Sequence, residues 1–307
     1  MKYYQLQQKQ GLPLKLKIKM SEKRIREWYK HFDGNVYVAF SGGKDSTVLL
    51  DVVRSVYPDV PAVYVNTGLE YPEVNEFIKT VDNVTTLRPE MNFKQVLEKY
   101  GYPVLSKMVS LSINRYQRTK DPLVKEYRLY GTKGGQYVGK IGVIPPKWHK
   151  LAKSEFKISP KCCAVMKKKP MYKYVKETGR QPFIGMLAHE SERRKEYYMK
   201  FGCNAFEGIK DIQSNPLAFW LDKDIWQYIK EKKIPYCSIY DKGYSRTGCM
   251  FCMFGIQLDQ TPNRFQLMKK THPKLWDYCI NKLGCGKVLD VIGIEYGEGQ
   301  TTLEGVL

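Results

Sequence analysis

The stretch that decides the fold is VYVAFSGGKDSTVLL, residues 36–50. Its first five residues are apolar β-formers, which predicts a short buried strand, and helical apolar spacing resumes at 47–56. The hexapeptide Ser41–Ser46 therefore joins a strand to a helix. Its glycines permit close backbone approach, while its lysine, its hydroxyls and the positive end of the helix suit a phosphate. A glycine pair alone would equally suit a tight turn, but the whole hexapeptide predicts a phosphate-binding loop.

The alternation of strand and helix continues along the chain. Apolar β-forming runs predict strands at 62–66, 84–87 and 182–186, and helical spacing predicts helices at 21–32, 73–81 and 223–230. Strands separated by helices pair in parallel through crossovers. We therefore predict an α/β fold: a doubly wound, mostly parallel sheet with helices on both faces.

The same pass predicts the domain organisation. Residues 1–20 form a basic N-terminal arm, 21–260 a nucleotide-binding domain, and 261–307 a helical C-terminal extension. Within the domain, glycines, prolines and basic residues break the periodicity at about 108–159, which predicts a basic insertion or a mobile segment.

Composition narrows the class of protein. The chain has 307 residues, 43% of them hydrophobic, enough for a substantial core. No apolar run approaches the roughly 18 residues that span a bilayer, and the N-terminus shows no signal-peptide core. We expect a cytoplasmic protein without a membrane partner. In that reducing compartment, eight cysteines favour metal or redox chemistry over disulfides.

The net charge of +20 is concentrated in one part of the sequence. Between residues 101 and 170 there are sixteen Lys and Arg against three acids. Aromatic side chains lie among these charges and could stack on bases: Tyr116, Tyr127, Tyr130, Tyr137 and Trp148. The segment 107–169 therefore predicts contact with a nucleic acid, tRNA or DNA. A solvated basic face, or a site for a small phosphorylated ligand, are the alternatives.

Four cysteines form two close pairs, Cys162 with Cys163 and Cys249 with Cys252. Two such pairs can hold a zinc ion or an iron–sulfur cluster. Adjacent cysteines suit a zinc tetrahedron poorly, because one backbone step restricts both sulfurs. Buried structural cysteines are the alternative.

The hexapeptide Ser41-Gly42-Gly43-Lys44-Asp45-Ser46 resembles the pyrophosphate loop of the ATP pyrophosphatases and does not match the Walker pattern. The resemblance implies ATP cleavage between the α and β phosphates, with the loop holding pyrophosphate and Mg²⁺ bridging its oxygens. Lys44 and Asp45 are then catalytic candidates. Asp45 is the local carboxylate nearest the metal, or else a helix cap.

A second resemblance covers about residues 35–255. Several segments are similar to the adenylylsulfate and phosphoadenylylsulfate reductase family: Lys161-Cys162-Cys163, Lys167–Met171, Asn215–Leu217 with Trp220, Asp224–Trp226, Ile234–Tyr236, Tyr240–Tyr244, and Gly248-Cys249 with Cys252. In the cluster-bearing members the two cysteine pairs ligate a four-iron four-sulfur cluster. The resemblance implies that Cys162, Cys163, Cys249 and Cys252 do so here.

The same resemblance implies further site residues. Asn66, Thr67 and Gly68 match the segment that lies near the nucleotide, and Gly185 with Glu190–Arg194 matches the arginine-bearing loop that touches phosphate or sulfate. Arg193 in that loop is the third catalytic candidate beside Lys44 and Asp45. Arg88 is a candidate for the same pocket. Each of these residues could instead be an ordinary surface-loop residue.

The chain also departs from that family. Its reductases transfer sulfite to a cysteine in a C-terminal Glu-Cys-Gly-Leu-His segment, which is absent here, and Cys279 and Cys285 lack that flanking pattern. Their first loop also differs from Ser41–Ser46, since those enzymes expel no pyrophosphate. The loop for ATP is therefore present without the cysteine for reduction.

These observations favour one function and leave two alternatives. The first is an enzyme that adenylates a substrate with ATP for iron–sulfur-dependent sulfur transfer, onto nucleic acid in one version, served by a sulfur or electron donor protein. The second is a sulfonucleotide reductase that takes an adenylylated sulfur nucleotide and releases sulfite. The third is a non-enzymatic, nucleic-acid-binding iron–sulfur protein.

Overall fold

The computed structural model describes residues 3–207 and 212–297. The helices are α1 (Tyr3–Gln10), α2 (Leu14–His31), α3 (Lys44–Arg54), α4 (Pro72–Lys79), α5 (Phe93–Tyr100), α6 (Lys107–Arg118), α7 (Pro122–Tyr130), α8 (His149–Lys153), α9 (Lys169–Thr178), α10 (Glu192–Phe201), α11 (Asp222–Lys232), α12 (Arg264–Thr271), α13 (Pro273–Asp277) and α14 (Cys285–Val291). The strands are β1 (Val36–Ala39), β2 (Ala62–Val65), β3 (Val84–Leu87), β4 (Val104–Leu105), β5 (Thr132–Lys133), β6 (Gln136–Tyr137), β7 (Gln181–Ile184), β8 (Asn204–Ala205), β9 (Gln213–Ser214) and β10 (Met253–Phe254).

The main sheet has the strand order β3-β2-β1-β7-β9-β8. Its strands pair in parallel except β8 with β9, and the β1–β7 register sets Val38 opposite Phe183. The predicted α/β class with a mostly parallel sheet flanked by helices is confirmed. The strands predicted at 36–40, 62–66, 84–87 and 182–186 agree with β1, β2, β3 and β7 to within two residues.

The described residues fall into two units. The first unit comprises 3–66, 70–88, 170–207 and 212–247, and it contains the main sheet. The second comprises 67–69, 89–169 and 248–297, and it contains the pairs β4–β10 and β5–β6. This grouping cuts across the segments 1–20, 21–260 and 261–307 predicted from sequence, because the chain passes between the units more than once. Of the predicted C-terminal extension, α12, α13 and α14 are helical, and 298–307 lie outside the described residues.

Helix α2 begins at Leu14, seven residues before the predicted start at Ser21. Ser21 is no cap: its hydroxyl donates to the Pro216 carbonyl at 2.9 Å and accepts from the Trp220 indole at 3.0 Å. Hydropathy does not reveal the first two turns because, beside Leu14, their buried residue is the charged Lys17, which is paired with Asp224 inside the fold. The predicted start of this helix at Ser21 was wrong for this reason.

Regular structure fills much of the segment 108–159, where broken order was predicted. Ser106 caps α6 by accepting from the Val109 N–H at 3.1 Å, and Asp121 caps α7 by accepting from the Leu123 N–H at 2.9 Å. Gly131, with φ +77°, ends α7 and leads into the β5–β6 hairpin. The glycines that broke the periodicity are therefore helix and hairpin ends.

No helix among the described residues is long and apolar enough to cross a membrane.

Candidate functional site

The phosphate loop, Ser41–Ser46, lies at the carboxyl end of β1, and α3 begins inside it at Lys44. Strand β1 lies between β2 and β7 in the sheet. The chain continues from β1 through α3 to β2 on one side, whereas β7 and the loop that follows it lie on the other side. In open parallel sheets this switch point is where ligands bind. The topology thus forms a crevice beside the hexapeptide that the sequence selected.

Three glycines are required by close contacts in this crevice. Gly42 has φ +71°, and a Cβ on it would lie 2.9 Å from a Val74 methyl carbon. A Cβ on Gly185, just after β7, would lie 3.0 Å from the carbonyl oxygen of Asp45. A Cβ on Gly43 would overlap the hydroxyl oxygen of Thr247. Larger side chains at these positions would push the loop, the helix or its cover apart.

The serine hydroxyls hold the shape of the loop. Ser46 Oγ donates to the Gly43 carbonyl at 2.9 Å and lies 3.1 Å from Ser41 Oγ. Thr47 Oγ1 donates to the same carbonyl at 3.1 Å. In this conformation the hydroxyls stabilise the turn, and the N-terminus of α3 supplies the anion-binding dipole. Gly43, the N-cap residue of α3, offers no side-chain cap.

A buried lysine stands between two carboxylates. The Nζ atom of Lys44 lies 3.1 Å from Asp45 Oδ1 and 2.6 Å from Asp222 Oδ1, and its side chain is only 5% exposed. Burial alone would lower the pKa of Lys44, but the hydrogen bonds and charges of Asp222 and Asp45 outweigh it and raise the pKa. Burial raises the pKa of Asp45, against the opposing effect of Lys44. Asp222, the first residue of α11, was not found from sequence because no local motif marks it.

Arg194, rather than Arg193, interacts electrostatically with the loop, and its guanidinium forms an ion pair with Glu190 on the preceding turn. Arg193 is exposed, whereas Arg194 is half-buried and interacts with the charge of Asp45. Burial lowers the pKa of Arg194, Asp45 opposes this shift, and neighbouring Arg246 adds to it. Two adjacent arginines on α10 point in different directions, so the sequence could select the pair but not the member.

The remaining predicted nucleotide residues follow other strands of the main sheet. Asn66 comes directly after β2 and donates its N–H to the Leu87 carbonyl at 2.9 Å, and Arg88 comes directly after β3. Thr67 and Gly68 are the next residues along the chain and group with the second unit, where Thr67 Oγ1 accepts from the Leu69 N–H. Their contact with a nucleotide stays a prediction.

All eight cysteines lie in the described residues, and none is disulfide-bonded. Cys162, Cys163, Cys249 and Cys252, the four-thiol group, belong to the second unit. Burial raises the pKa of Cys162, and the charges of the other three thiols raise it further, so these sulfurs are electrostatic neighbours. Lys167 acts in the opposite direction. The two predicted pairs therefore lie within electrostatic range of each other.

The loop that carries Cys249 and Cys252 is held by Arg264. This guanidinium donates to the carbonyls of Cys252 and Phe254 at 3.1 and 3.0 Å and forms a bidentate pair with Asp259. Strand β10, immediately after Cys252, pairs with β4. The two cysteines thus start from a fixed backbone.

The four-thiol group is not a ready site for a single ion. Among the described residues, no group of three or more His, Cys, Asp or Glu side chains is arranged to hold a metal ion. Ligands of one zinc converge on one point, whereas each ligand of a four-iron cluster binds a different iron. Four neighbouring thiols beside Lys167 and Arg264 fit an anionic cluster in chemistry, and a cluster here remains a proposal.

Cys279 and Cys285 are fully buried in the second unit. Their thiols are hydrogen-bonded to each other, and burial raises the pKa of Cys279 well above its ordinary value. A thiol is nucleophilic as an accessible thiolate. In this conformation neither sulfur has that character.

The basic segment presents an exposed patch on the hairpin, residues 126–142. Tyr137 is 66% exposed and Ile141 is 86% exposed. The Glu126 carboxylate accepts hydrogen bonds from the N–H groups of Gly134 and Gly135, both at 2.9 Å. This acidic side chain therefore stabilises the hairpin turn. Basic side chains lie over its rings, with Lys133 5.9 Å and Arg128 5.2 Å from the Tyr127 centroid.

Comparison with known families identifies the architecture. The family model of the phosphoadenosine phosphosulfate reductase domain matches residues 35–125 and 143–254, more than half of the chain. The chain belongs to this family. The match includes the phosphate loop and the four-thiol group and omits 126–142, so the hairpin is an addition to the family pattern.

The relatives of this family member include reductases and proteins without a described function. Adenosine 5'-phosphosulfate reductase of Lysinibacillus sphaericus is 24% identical over 229 residues, 74% of this chain and 77% of the relative. Two uncharacterised proteins of Methanocaldococcus jannaschii are each 25% identical, over 84% and 85% of this chain. The chain spans only 43% and 50% of the length of those two relatives. A phosphoadenylyl-sulfate reductase from Candida auris, solved with phosphate, aligns with a TM-score of 0.45 at 16% identity, covering 81% of this chain and 96% of that one.

Proposed function

We propose that this member of the phosphoadenosine phosphosulfate reductase family is an enzyme that binds ATP at Ser41–Ser46 and releases pyrophosphate. The observation that carries the proposal is the loop itself. It joins β1 to the N-terminus of α3 at the switch point of the sheet, with Lys44 buried beside it. A dipole end and a fixed ammonium stabilise the negative charge that grows on a departing pyrophosphate.

The residues divide the work in a simple way. The loop backbone and Lys44 bind the β and γ phosphates, and Asp222 keeps Lys44 protonated and aimed along the loop. Arg194 adds positive charge near Asp45. The Asp45 carboxylate is the group that would hold Mg²⁺, which would supply positive charge to the phosphate oxygens. A substrate oxygen attacks the α phosphorus of ATP. The bond between the α phosphorus and the oxygen that bridges to the β phosphate breaks, and its electron pair leaves with pyrophosphate. The product carries an adenylyl group.

The four-thiol group is the proposed holder of a four-iron four-sulfur cluster, which would supply bound sulfur or electrons for the step that follows adenylation. This chain's own contribution is to fix Cys249 and Cys252 through Arg264 and to place cationic Lys167 beside Cys162. A sulfur or electron donor protein would then complete the turnover.

The acceptor of the adenylyl group is proposed to be a nucleic acid, tRNA or DNA, held by the basic segment 107–169. The support is the charge surplus together with the exposed aromatic and basic side chains of the hairpin, which suit an unpaired strand. A salt-dependent oligonucleotide complex that increases AMP formation is the expected result.

ATP-to-pyrophosphate exchange tests the main proposal. Gly43→Val, whose side chain would enter the space of Thr247, should abolish exchange. Gly11→Ala is the matched control, because a Cβ there makes only ordinary contacts at 3.5 Å and exchange should persist. Wild-type exchange in Gly43→Val would rule the loop out as the site.

A second candidate is a sulfonucleotide reductase that releases sulfite. The comparisons favour it over ATP cleavage, because the relatives include adenosine 5'-phosphosulfate reductases and the matching family model is that of the phosphoadenosine phosphosulfate reductase domain. The loop sequence and the burial of Cys279 and Cys285 favour ATP cleavage. Sulfite release from adenylylsulfate with an external thiol, without AMP formation from ATP, would select the reductase.

A further inference from the structure

The hydroxyl of Tyr240 occupies the N-terminus of α3. The Lys44 backbone N–H donates to this oxygen at 2.9 Å. Lys44 is the first residue of α3, so its N–H is one of the donors that a helix cannot satisfy internally. In the proposed function the same N–H faces a phosphate oxygen. A neutral hydroxyl from the protein therefore stands in the position of the ligand.

A second hydroxyl reinforces this arrangement. Tyr240 is hydrogen-bonded to the side chain of Thr247, and Thr247 lies so close to Gly43 that a Cβ there would overlap its oxygen. The same Cβ would lie 3.4 Å from the Tyr240 oxygen. Both hydroxyls thus cover the glycine that a phosphate needs to approach.

The segment around Tyr240 is anchored on either side of a ring that is itself partly exposed. Lys242, two residues on, forms an ion pair with Glu73, and Tyr244 packs on Tyr71 at 4.8 Å between centroids. Tyr240 itself is only half-buried, and burial raises its pKa, which keeps its hydroxyl neutral. A turn of this side chain alone would uncover the Lys44 N–H.

We propose that Tyr240 is an internal occupant of the phosphate site: its hydroxyl caps α3 in the nucleotide-free protein and is displaced when the phosphates of the nucleotide bind. The inference rests on the proposed function of Ser41–Ser46. A phosphate wins the position because it carries charge to the positive helix end, whereas the hydroxyl brings only a dipole. Nucleotide binding is therefore coupled to movement at Tyr240.

Trp226 is a natural reporter of this movement. Its ring meets the Tyr240 ring edge-on, with centroids 5.3 Å apart and an interplanar angle of 90°. Displacement of Tyr240 would change the surroundings of the indole. Pyrophosphate binding should therefore shift the tryptophan emission of the wild-type protein, and Trp226→Phe should remove the shift while binding persists.

Tyr240→Phe provides the decisive affinity measurement. It retains the ring and removes the competing oxygen. Pyrophosphate should then bind about three- to tenfold more tightly, because it no longer has to displace one neutral hydrogen bond. Weaker binding would show that Tyr240 is a phosphate ligand and would overturn the proposal. Unchanged affinity, or a wild-type protein with no emission shift on binding, would overturn it as well.

The matched control is Tyr236→Phe. Tyr236 belongs to the same aromatic group, 6.4 Å from Tyr240 between centroids, but its hydroxyl donates to Asp241 at 3.0 Å. The Tyr236→Phe variant should bind pyrophosphate with the affinity of the wild-type protein. Binding itself is measured by isothermal titration with Mg²⁺ pyrophosphate and with ATP. If neither binds the wild-type protein, the proposed function fails; if both bind as tightly as to Tyr240→Phe, only the role of Tyr240 fails.

Discussion

Removal of the Lys17 charge should destabilise the first unit severely. The Nζ atom of Lys17 lies 2.5 Å from Asp224 Oδ2, and the side chains are 1% and 5% exposed. The ammonium also donates to the Gln10 carbonyl at 2.7 Å. In Lys17→Met the one hydrogen bond left to the Asp224 carboxylate from the described part of the chain is that from the Leu221 N–H, at 2.7 Å. An uncompensated buried charge of this kind costs about 3–5 kcal/mol.

That cost is a large part of the stability of an ordinary domain, about 5–15 kcal/mol. Urea unfolding, followed by circular dichroism and by tryptophan fluorescence, measures it. Lys15→Met is the matched control, because Lys15 is an exposed residue of the same helix and its loss should cost under about 0.5 kcal/mol.

The double variant Lys17→Met with Asp224→Asn separates charge from packing. Asparagine keeps an oxygen for the Leu221 N–H and removes the stranded charge, so the double variant should recover to within about 2 kcal/mol of the wild type. A loss in Lys17→Met no larger than in Lys15→Met would refute the reasoning. A double variant no more stable than Lys17→Met would refute it equally. Asp222, two residues from Asp224, ties this test to the site, since α11 carries both.

Three further outcomes are expected. In cluster-free native protein, a thiol reagent should react rapidly only with the half-buried thiols of the four-thiol group; a fast site lost in Cys285→Ser would contradict the burial of that sulfur. Arg264→Met should lower the iron content of anaerobically purified protein although it removes no thiol, because two carbonyls of the cysteine loop lose their donor; full iron content would show that the loop holds itself. Tyr137→Ala should weaken the binding of a single-stranded oligonucleotide about tenfold through lost stacking, and Lys133→Ala should reduce the slope of log affinity against log salt concentration by about one. Lys94→Ala, outside the hairpin, is the control and should change neither quantity. Equal affinities of all these proteins in titrations at several salt concentrations would show that the hairpin is not part of the interface.

The fold was largely predictable because its signals are local. Apolar β-forming runs located β1, β2, β3 and β7, and their alternation with helices predicted parallel pairing. The same local reading missed the first turns of α2, where the buried face contains Lys17. A hydropathy pattern records what a residue prefers on its own, and Lys17 is buried only because Asp224, more than two hundred residues away, neutralises it.

The residues of the candidate site also fall into two groups, those that a local sequence pattern reveals and those that only the folded chain brings together. Ser41–Ser46 and the two cysteine pairs were found because each is a short contiguous pattern. The structure adds Asp222, Arg194, Tyr240 and Thr247 around the loop. All four residues are far from Ser41–Ser46 in the sequence. They belong to α10, α11 and the segment after α11, which the folding of the chain brings near the loop.

The sequence by itself located the loop Ser41–Ser46, the strand–helix alternation that places it at the carboxyl end of a strand, and the two cysteine pairs along the chain. Only the tertiary structure decided which arginine interacts with the charge of Asp45, which distant carboxylate pairs with Lys44 and which hydroxyl covers the end of the helix. The physical reason is the range of each effect. Backbone preference and glycine freedom act within a few residues, whereas a charge or a hydroxyl finds its partner through the folded chain, at separations that no local pattern encodes.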